Sequence, residues 1–171
     1  MDMQIRNIRK DEFEEVYELV ETAFKTAEVS DGSEQDFVNE LRAGENYIQD
    51  LEFVCVKDEE LIGHVMLTHK SFNTQSGNKD ALLLAPLCVK EEYRSKGVGS
   101  ALVNHALSCA EKLGYKVVFL VGNPDYYGRF GFKQTGSFGI KNASEIPDRF
   151  VLACEIEKGV LDGSNGQINI E

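Results

Sequence analysis

The stretch Ala85-Pro86-Leu87-Cys88-Val89-Lys90-Glu91-Glu92-Tyr93-Arg94-Ser95-Lys96-Gly97-Val98-Gly99-Ser100 joins an apolar run to a helical pattern, and its reading decides the fold. Upstream, Ala81 to Val89 is continuously apolar, the mark of a strand buried on both faces. Pro86 within it has no N–H to donate, so ladder pairing is expected to bulge or lapse there. Downstream, Val98 to Leu113 places Leu102, Val103, Ala106, Leu107 and Ala110 on one face of a helix that stops at Gly114. Lys116 to Val121 is a second buried strand. Strand, helix and strand together predict a right-handed parallel crossover.

The junction between strand and helix has the makings of an anion site. A helix start leaves backbone N–H groups unpaired and carries partial positive charge. Gly97 and Gly99 let the backbone approach a ligand closely, and Arg94 and Lys96 add full charges. The residues Arg94, Ser95, Lys96, Gly97, Val98, Gly99 and Ser100 are therefore candidates to hold a phosphate or pyrophosphate. The order Lys96-Gly97 is not that of a P-loop, and Leu102 stands where a dinucleotide fingerprint needs glycine. The competing reading is a surface loop whose glycines and basic residues serve solubility.

Working outward, Met3 to Arg9 alternates like a short strand. Asp11 to Lys25 is an amphipathic helix with Phe13, Val16, Tyr17, Val20 and Phe24 on its apolar face. A second helix is predicted from a cap at Ser33 to about Ala43, burying Phe37, Val38 and Leu41. Leu51 to Lys57 and Leu61 to Phe72 read as a hairpin closed by Asp58-Glu59-Glu60. Tyr126 to Phe130 suggests a short helix, Phe150 to Ile156 a late strand, and Gln167 to Ile170 a last one. The order β-α-α-β-β-β-α-β-α-β-β implies an α/β protein, a mixed sheet with helices on both faces. A single domain spanning 1–171 is expected, with its core at about 3–156 and a polar tail at 157–171.

The chain carries a formal net charge of −11. An acidic surface repels phosphate backbones, which argues against nucleic acid as a partner, and it attracts cations such as protonated amines. Cys55, Cys88, Cys109 and Cys154 form no C-x-x-C pair and have no zinc-ligand spacing to His64, His69 or His105, so no metal is expected. They read as reduced thiols in a cytoplasmic protein. The N-terminus has no signal-peptide pattern, and no apolar run is long enough to cross a bilayer.

Three segments together resemble the GNAT superfamily of N-acetyltransferases, most closely its bacterial predicted acetyltransferases. Arg94-Ser95-Lys96-Gly97-Val98-Gly99 matches that family's pyrophosphate motif R/Q-x-x-G-x-G/A. Ala85 to Val89 is similar to its fourth strand, and Tyr127-Gly128-Arg129-Phe130-Gly131-Phe132 to its Y-x-x-x-G-F segment. The resemblance implies a mixed, mostly antiparallel central sheet in which strands 4 and 5 splay apart to admit the pantetheine arm of acetyl-CoA, the cosubstrate. It implies backbone contacts from Leu87, Cys88 and Val89 to pantetheine, and amides from Ser95 to Ser100 on the pyrophosphate. Asn123 is implied on the cofactor side. Tyr127 is implied as the acid that protonates the leaving thiolate, with Tyr126 beside it as the alternative. The packing alternative is that Tyr126, Tyr127, Phe130 and Phe132 form one aromatic cluster.

The acceptor implied is a primary amine of a small molecule or protein, attacked on directly, without an acyl-enzyme on Cys88. Glu34, His64, His69, Glu91 and Glu92 are candidates for the base, and a water chain is the other route. A homodimer is suggested by family analogy. A different class of function is a cofactor-binding module that has lost turnover, and a third is a nucleotide-binding domain.

Overall fold

The computed structural model describes residues 2–26 and 32–170. The elements run β1 (Gln4–Asn7), α1 (Phe13–Lys25), α2 (Glu34–Ala43), β2 (Tyr47–Lys57), β3 (Glu60–Thr74), β4 (Gly77–Val89), α3 (Val98–Lys112), β5 (Val117–Val121), α4 (Pro124–Tyr127), β6 (Lys133–Gln134), β7 (Ile140–Asn142), β8 (Val151–Glu155) and β9 (Gly166–Ile168). They form two compact units. One comprises residues 1–68 and 86–109, the other residues 69–85 and 110–171. The fold is a mixed α/β architecture whose strand pairs are largely antiparallel.

In the first unit β1 and β2 pair antiparallel from Gln4↔Val56 to Asn7↔Phe53, and β2 pairs antiparallel with β3 from Tyr47↔Thr68 to Lys57↔Glu60. The hairpin turn places Asp58 and Glu59 at φ 50 and 65, a left-handed conformation that non-glycine residues adopt at a cost. Helix α1 buries Val16, Leu19, Val20 and Ala23, the i, i+3, i+4, i+7 stripe. The apolar stripe is thus rotated from the expected one. Tyr17 leaves it because its hydroxyl donates to Asp36 at 2.9 Å. On α2, Val38 is buried but Phe37 is 38% exposed, contrary to the sequence expectation. The stripe of α1 packs with Val38, Val54, Met66 and Cys88. Across β3, Gly63 admits α3: a Cβ there would lie 2.8 Å from Cδ1 of Leu102 and 3.2 Å from Cγ1 of Val98. Helices thus cover this part of the sheet on both faces.

In the second unit β4 and β5 are parallel, as the crossover pattern requires. β5 pairs antiparallel with β8 along its whole length, from Val117↔Glu155 to Val121↔Val151, and β8 pairs with β6. β9 pairs antiparallel with β3 at Asn73↔Gln167 and parallel with β7. Its core contains Phe72, Ala81, Val117, Phe119, Ile140, Val151, Ala153, Leu161 and Ile168. The C-terminal segment thereby contributes buried Leu161 and Ile168, where the sequence suggests a polar tail.

Candidate functional site

The chain leaves β4 at Val89, makes a short 3₁₀ turn at Glu91–Tyr93 and enters α3 at Val98. Ser95 and Gly97 take φ 61 and 87, which folds the connecting loop back on itself. A Cβ at Gly97 would meet nothing within 4 Å, so open space lies beside that backbone. The first helical bond of α3 runs from the Ala101 amide to the Gly97 carbonyl at 3.0 Å. Among the described residues no backbone hydrogen bond occupies the amides from Ser95 to Ser100. A row of free amides at a helix start, under a glycine with positive φ, suits an anion.

Arg94 does a different job from the one its charge suggests. Its Nε donates to the Val89 carbonyl at 3.2 Å, Nη1 to the Thr26 hydroxyl at 2.9 Å and Nη2 to the Ala23 carbonyl at 2.6 Å. The guanidinium thus fastens the loop to the end of β4 and to the C-terminus of α1, where carbonyls need donors. Lys96 is exposed, with its ammonium 5.8 Å from the Tyr93 ring centroid. It is the basic side chain of the loop that solvent reaches.

Pairing between β4 and β5 consists of Leu82↔Val118 and Leu83↔Phe119. β4 continues past its last paired residue through Pro86 to Val89. Among the described residues the β4–β5 ladder thus ends at Leu83, three residues before Pro86, and not at the proline itself. Leu87 and Val89 are half-buried and Cys88 is 5% exposed. Burial pushes the Cys88 thiol up to about 12, against which the His64 backbone and Arg94 act only weakly. A thiol that stays protonated is no nucleophile at neutral pH, which agrees with direct transfer.

In the second unit, Asn123 caps α4: its side chain accepts from the Asp125 amide at 2.9 Å, with Pro124 in the first turn. Capping accounts for the side-chain oxygen of Asn123. Tyr127 ends α4. Its ring stands 4.9 Å from that of Tyr126, 5.9 Å from Phe132 and 6.4 Å from Phe130. The aromatic cluster of the packing alternative is therefore real. Among the described residues the Tyr127 hydroxyl makes no hydrogen bond, so it is unspent. Burial, and secondarily Tyr126, raise its phenol above the ordinary tyrosine value and keep it protonated. Gly131, at φ 91, turns the chain so that Phe132 is buried.

Gly122, which the sequence reading does not single out, positions this ring. A Cβ there would lie 2.5 Å from Cε2 of Tyr127. The sequence offers only its place between an apolar strand and Asn123-Pro124 as a signal.

The candidate bases separate cleanly. Glu91 and Glu92 are exposed on the 3₁₀ turn, and Glu34 opens α2. His69 lies 3.0 Å from Asp80 in an exposed pair. His64 is fully buried and meets Glu52 at 2.8 Å. No described helix is long and apolar enough to cross a membrane.

A loop of free backbone amides at the start of α3 follows directly on β4. The model of the acetyltransferase (GNAT) domain matches residues 4–135, and the chain belongs to that family. The chain is 29% identical to the uncharacterized N-acetyltransferase YjhQ of Escherichia coli K12, over 67% of this chain and 64% of that protein. It is 33% identical to the uncharacterized N-acetyltransferase YhbS of the same strain over 59% of each. The chain thus spans less than two thirds of either relative. Among solved structures, YhbS from Escherichia coli in complex with CoA superposes with a TM-score of 0.81 at 22% identity, covering 98% of this chain and 88% of that one. A GNAT family acetyltransferase from Brucella melitensis in complex with acetyl-CoA gives 0.69 at 27% identity, covering 77% and 83%.

Proposed function

We propose that this protein transfers an acetyl group from acetyl-CoA directly to a primary amine of a small molecule or protein. The observation that carries the reading is the loop from Ser95 to Ser100, with its free amides and the open space beside Gly97. Those amides hold the pyrophosphate, with Lys96 adding charge and Arg94 fastening the loop from behind. The backbone of Leu87, Cys88 and Val89, beyond the last β4–β5 pair, holds the pantetheine arm as an added strand would be held. Acetyl-CoA supplies an activated acetyl thioester.

Tyr127 holds a proton on a half-buried phenol and gives it to the departing sulfur. Asn123, whose side-chain amide nitrogen is left over after capping, contributes a donor on the cofactor side. The acidic chain, at −11, favours a cationic acceptor. Its cysteines are unpaired, which supports a reducing compartment, the cytoplasm.

The test is release of free thiol from acetyl-CoA across a panel of small amines and lysine peptides, with wild type and Tyr127→Phe. Turnover by wild type, with retained binding and reduced turnover in the variant, supports the reading. Tight binding of acetyl-CoA with no thiol release on any amine overturns the enzymatic part of it in favour of a binding module. Equal turnover by Tyr127→Phe overturns the role of Tyr127.

A further inference from the structure

Among the described residues, one buried side-chain polar atom lacks a hydrogen-bond partner: Nδ1 of His64. The ring around it is firmly held. Its Nε2 lies 2.8 Å from Oε2 of Glu52, and both side chains are 0% exposed. Glu52 also accepts from Nη2 of Arg42 at 2.6 Å, from Nε of Arg42 at 3.1 Å and from the Tyr47 hydroxyl at 2.7 Å. Burial alone would raise the Glu52 carboxyl. Hydrogen bonds from His64 and Arg42 outweigh it and hold the group at about 2. An ionised carboxylate only accepts, so Nε2 carries a ring hydrogen and donates it to Glu52. Leaving a buried polar atom unpaired, as at Nδ1, costs stability. The structure keeps it although the surrounding network is otherwise satisfied.

The position of the ring suggests why. The Lys90 amide donates to the Ile62 carbonyl at 2.9 Å. Two residues further into each antiparallel strand, His64 comes opposite Cys88. Cys88 is the centre of the segment proposed above to hold pantetheine. Met66, two residues along β3 from His64, packs with the stripe of α1, so the imidazole shares that face. Facing it is Glu52 of β2, with Tyr47 of β2 and Arg42 of α2 behind Glu52. Helix α1 contributes the apolar Val16, Leu19, Val20 and Ala23.

We propose that His64 takes up, at Nδ1 and through one intervening water, the proton that the acceptor amine loses, and that Glu52 is the positioning residue that sets its tautomer and stabilises the imidazolium. The inference rests on the acetyl-transfer reading given above. The neutral amine attacks the thioester carbonyl; the nitrogen–carbon bond forms and the carbon–sulfur bond breaks. The surplus proton on nitrogen passes to Nδ1. The departing thiolate takes a proton, drawn in the end from solvent, and the imidazolium returns its own to solvent. Amine and thioester become amide and thiol with no other reactant.

The first test is nitrogen NMR of the histidine rings in ¹⁵N-histidine-labelled wild-type protein, free and with coenzyme A, using His64→Gln to assign the signal. The expected result is an Nε2–H tautomer with bare Nδ1 at neutral pH, and reversible protonation of Nδ1 on acidification of the complex. A ring with its hydrogen on Nδ1, or one that stays neutral until the protein unfolds, overturns the proposal. The second test is thiol release with n-butylamine as probe. His64→Gln is expected to keep the melting shift given by acetyl-CoA, to lose the acid limb of the pH–rate profile, and to lower kcat about a hundredfold or more. An unchanged limb and kcat overturn the proposal while leaving the cofactor site standing. Absence of any acetyl-CoA shift in wild type is instead the failure of the acetyl-transfer reading, and removes the basis of this one with it. If His64→Gln does not fold, His69→Gln and His105→Gln assign the His64 signal by elimination and the wild-type NMR result decides.

Discussion

Replacing Gly122 by alanine adds one methyl group where the Tyr127 ring already lies. The new Cβ would stand 2.5 Å from Cε2 and 2.9 Å from Cδ2 of Tyr127, and 3.1 Å from Cδ1 of Leu120. Gly122 does not have a positive φ, so backbone strain plays no part and the cost is steric. The ring is hemmed in by Tyr126, Phe130 and Phe132 and has little room to retreat. Overpacking of this kind costs about 1–3 kcal/mol. For a domain of this size that lowers Tm by about 2–12 °C, taking about 2–4 °C per kcal/mol.

The same substitution in a Tyr127→Ala background meets only the flexible tip of Leu120. There glycine to alanine should stabilise by about 0.4–1 kcal/mol, because it restricts the unfolded chain. The sign of the effect therefore reverses between the two backgrounds. Thermal unfolding of the four proteins of this double-mutant cycle measures it. A Gly122→Ala protein as stable as wild type, or an equal loss in both backgrounds, would refute the placement of Tyr127 on Gly122.

Three further outcomes are expected. Replacing Asp58-Glu59, at φ 50 and 65, by Asn-Gly relieves left-handed strain and should raise Tm by about 2–4 °C, for a gain of about 1 kcal/mol; an unchanged or lower Tm contradicts this. Glu52 titrates at about 2 when folded against an ordinary 4.5, so its contribution is full above the ordinary value and is lost as pH falls through that interval. Acid denaturation should show a loss of roughly 2–3 kcal/mol there that Glu52→Gln abolishes. Burial raises Cys88 to about 12 and Cys154 to about 11, while Cys109 is only half-buried. Iodoacetamide at neutral pH should therefore alkylate Cys109 first in native protein, as peptide mass mapping would report.

The parts legible in the sequence are those with strong local patterns. The run Ala81 to Val89 and the periodic helix after Gly97 announce the strand, the loop and the crossover, because burial and helix geometry leave a direct imprint there. The β4–β5 ladder ends at Leu83, short of Pro86, so the proline does not mark where pairing stops. β6 at Lys133–Gln134 and β7 at Ile140–Asn142 escape the reading because such short strands exist only through their partners, β8 and β9. Phe37 is misplaced because helical spacing alone does not tell which flank of an apolar stripe is covered; Val38 is buried and Phe37 is 38% exposed.

The Arg42–Glu52–His64–Tyr47 network is invisible for a deeper reason. In LEFVCVK a glutamate next to leucine reads as a solvent-facing strand residue, yet Glu52 is 0% exposed. Its burial depends on donors from α2, β2 and β3 that meet only in the folded chain. Arg94 is legible as a charge but not as a tether, since Ala23 is far from it in sequence. Gly122 likewise shows its purpose only against the Tyr127 ring.

The central claim is tested most directly by the melting temperature of wild type and Gly97→Glu with and without acetyl-CoA. At about 100 times Kd the wild type should gain about 2.7 kcal/mol, a shift of several degrees. Open space beside Gly97 lets the variant fold with little more than the strain of its positive φ, and the new carboxylate should abolish the shift. A folded Gly97→Glu protein that acetyl-CoA stabilises as much as wild type would contradict the assignment of the loop.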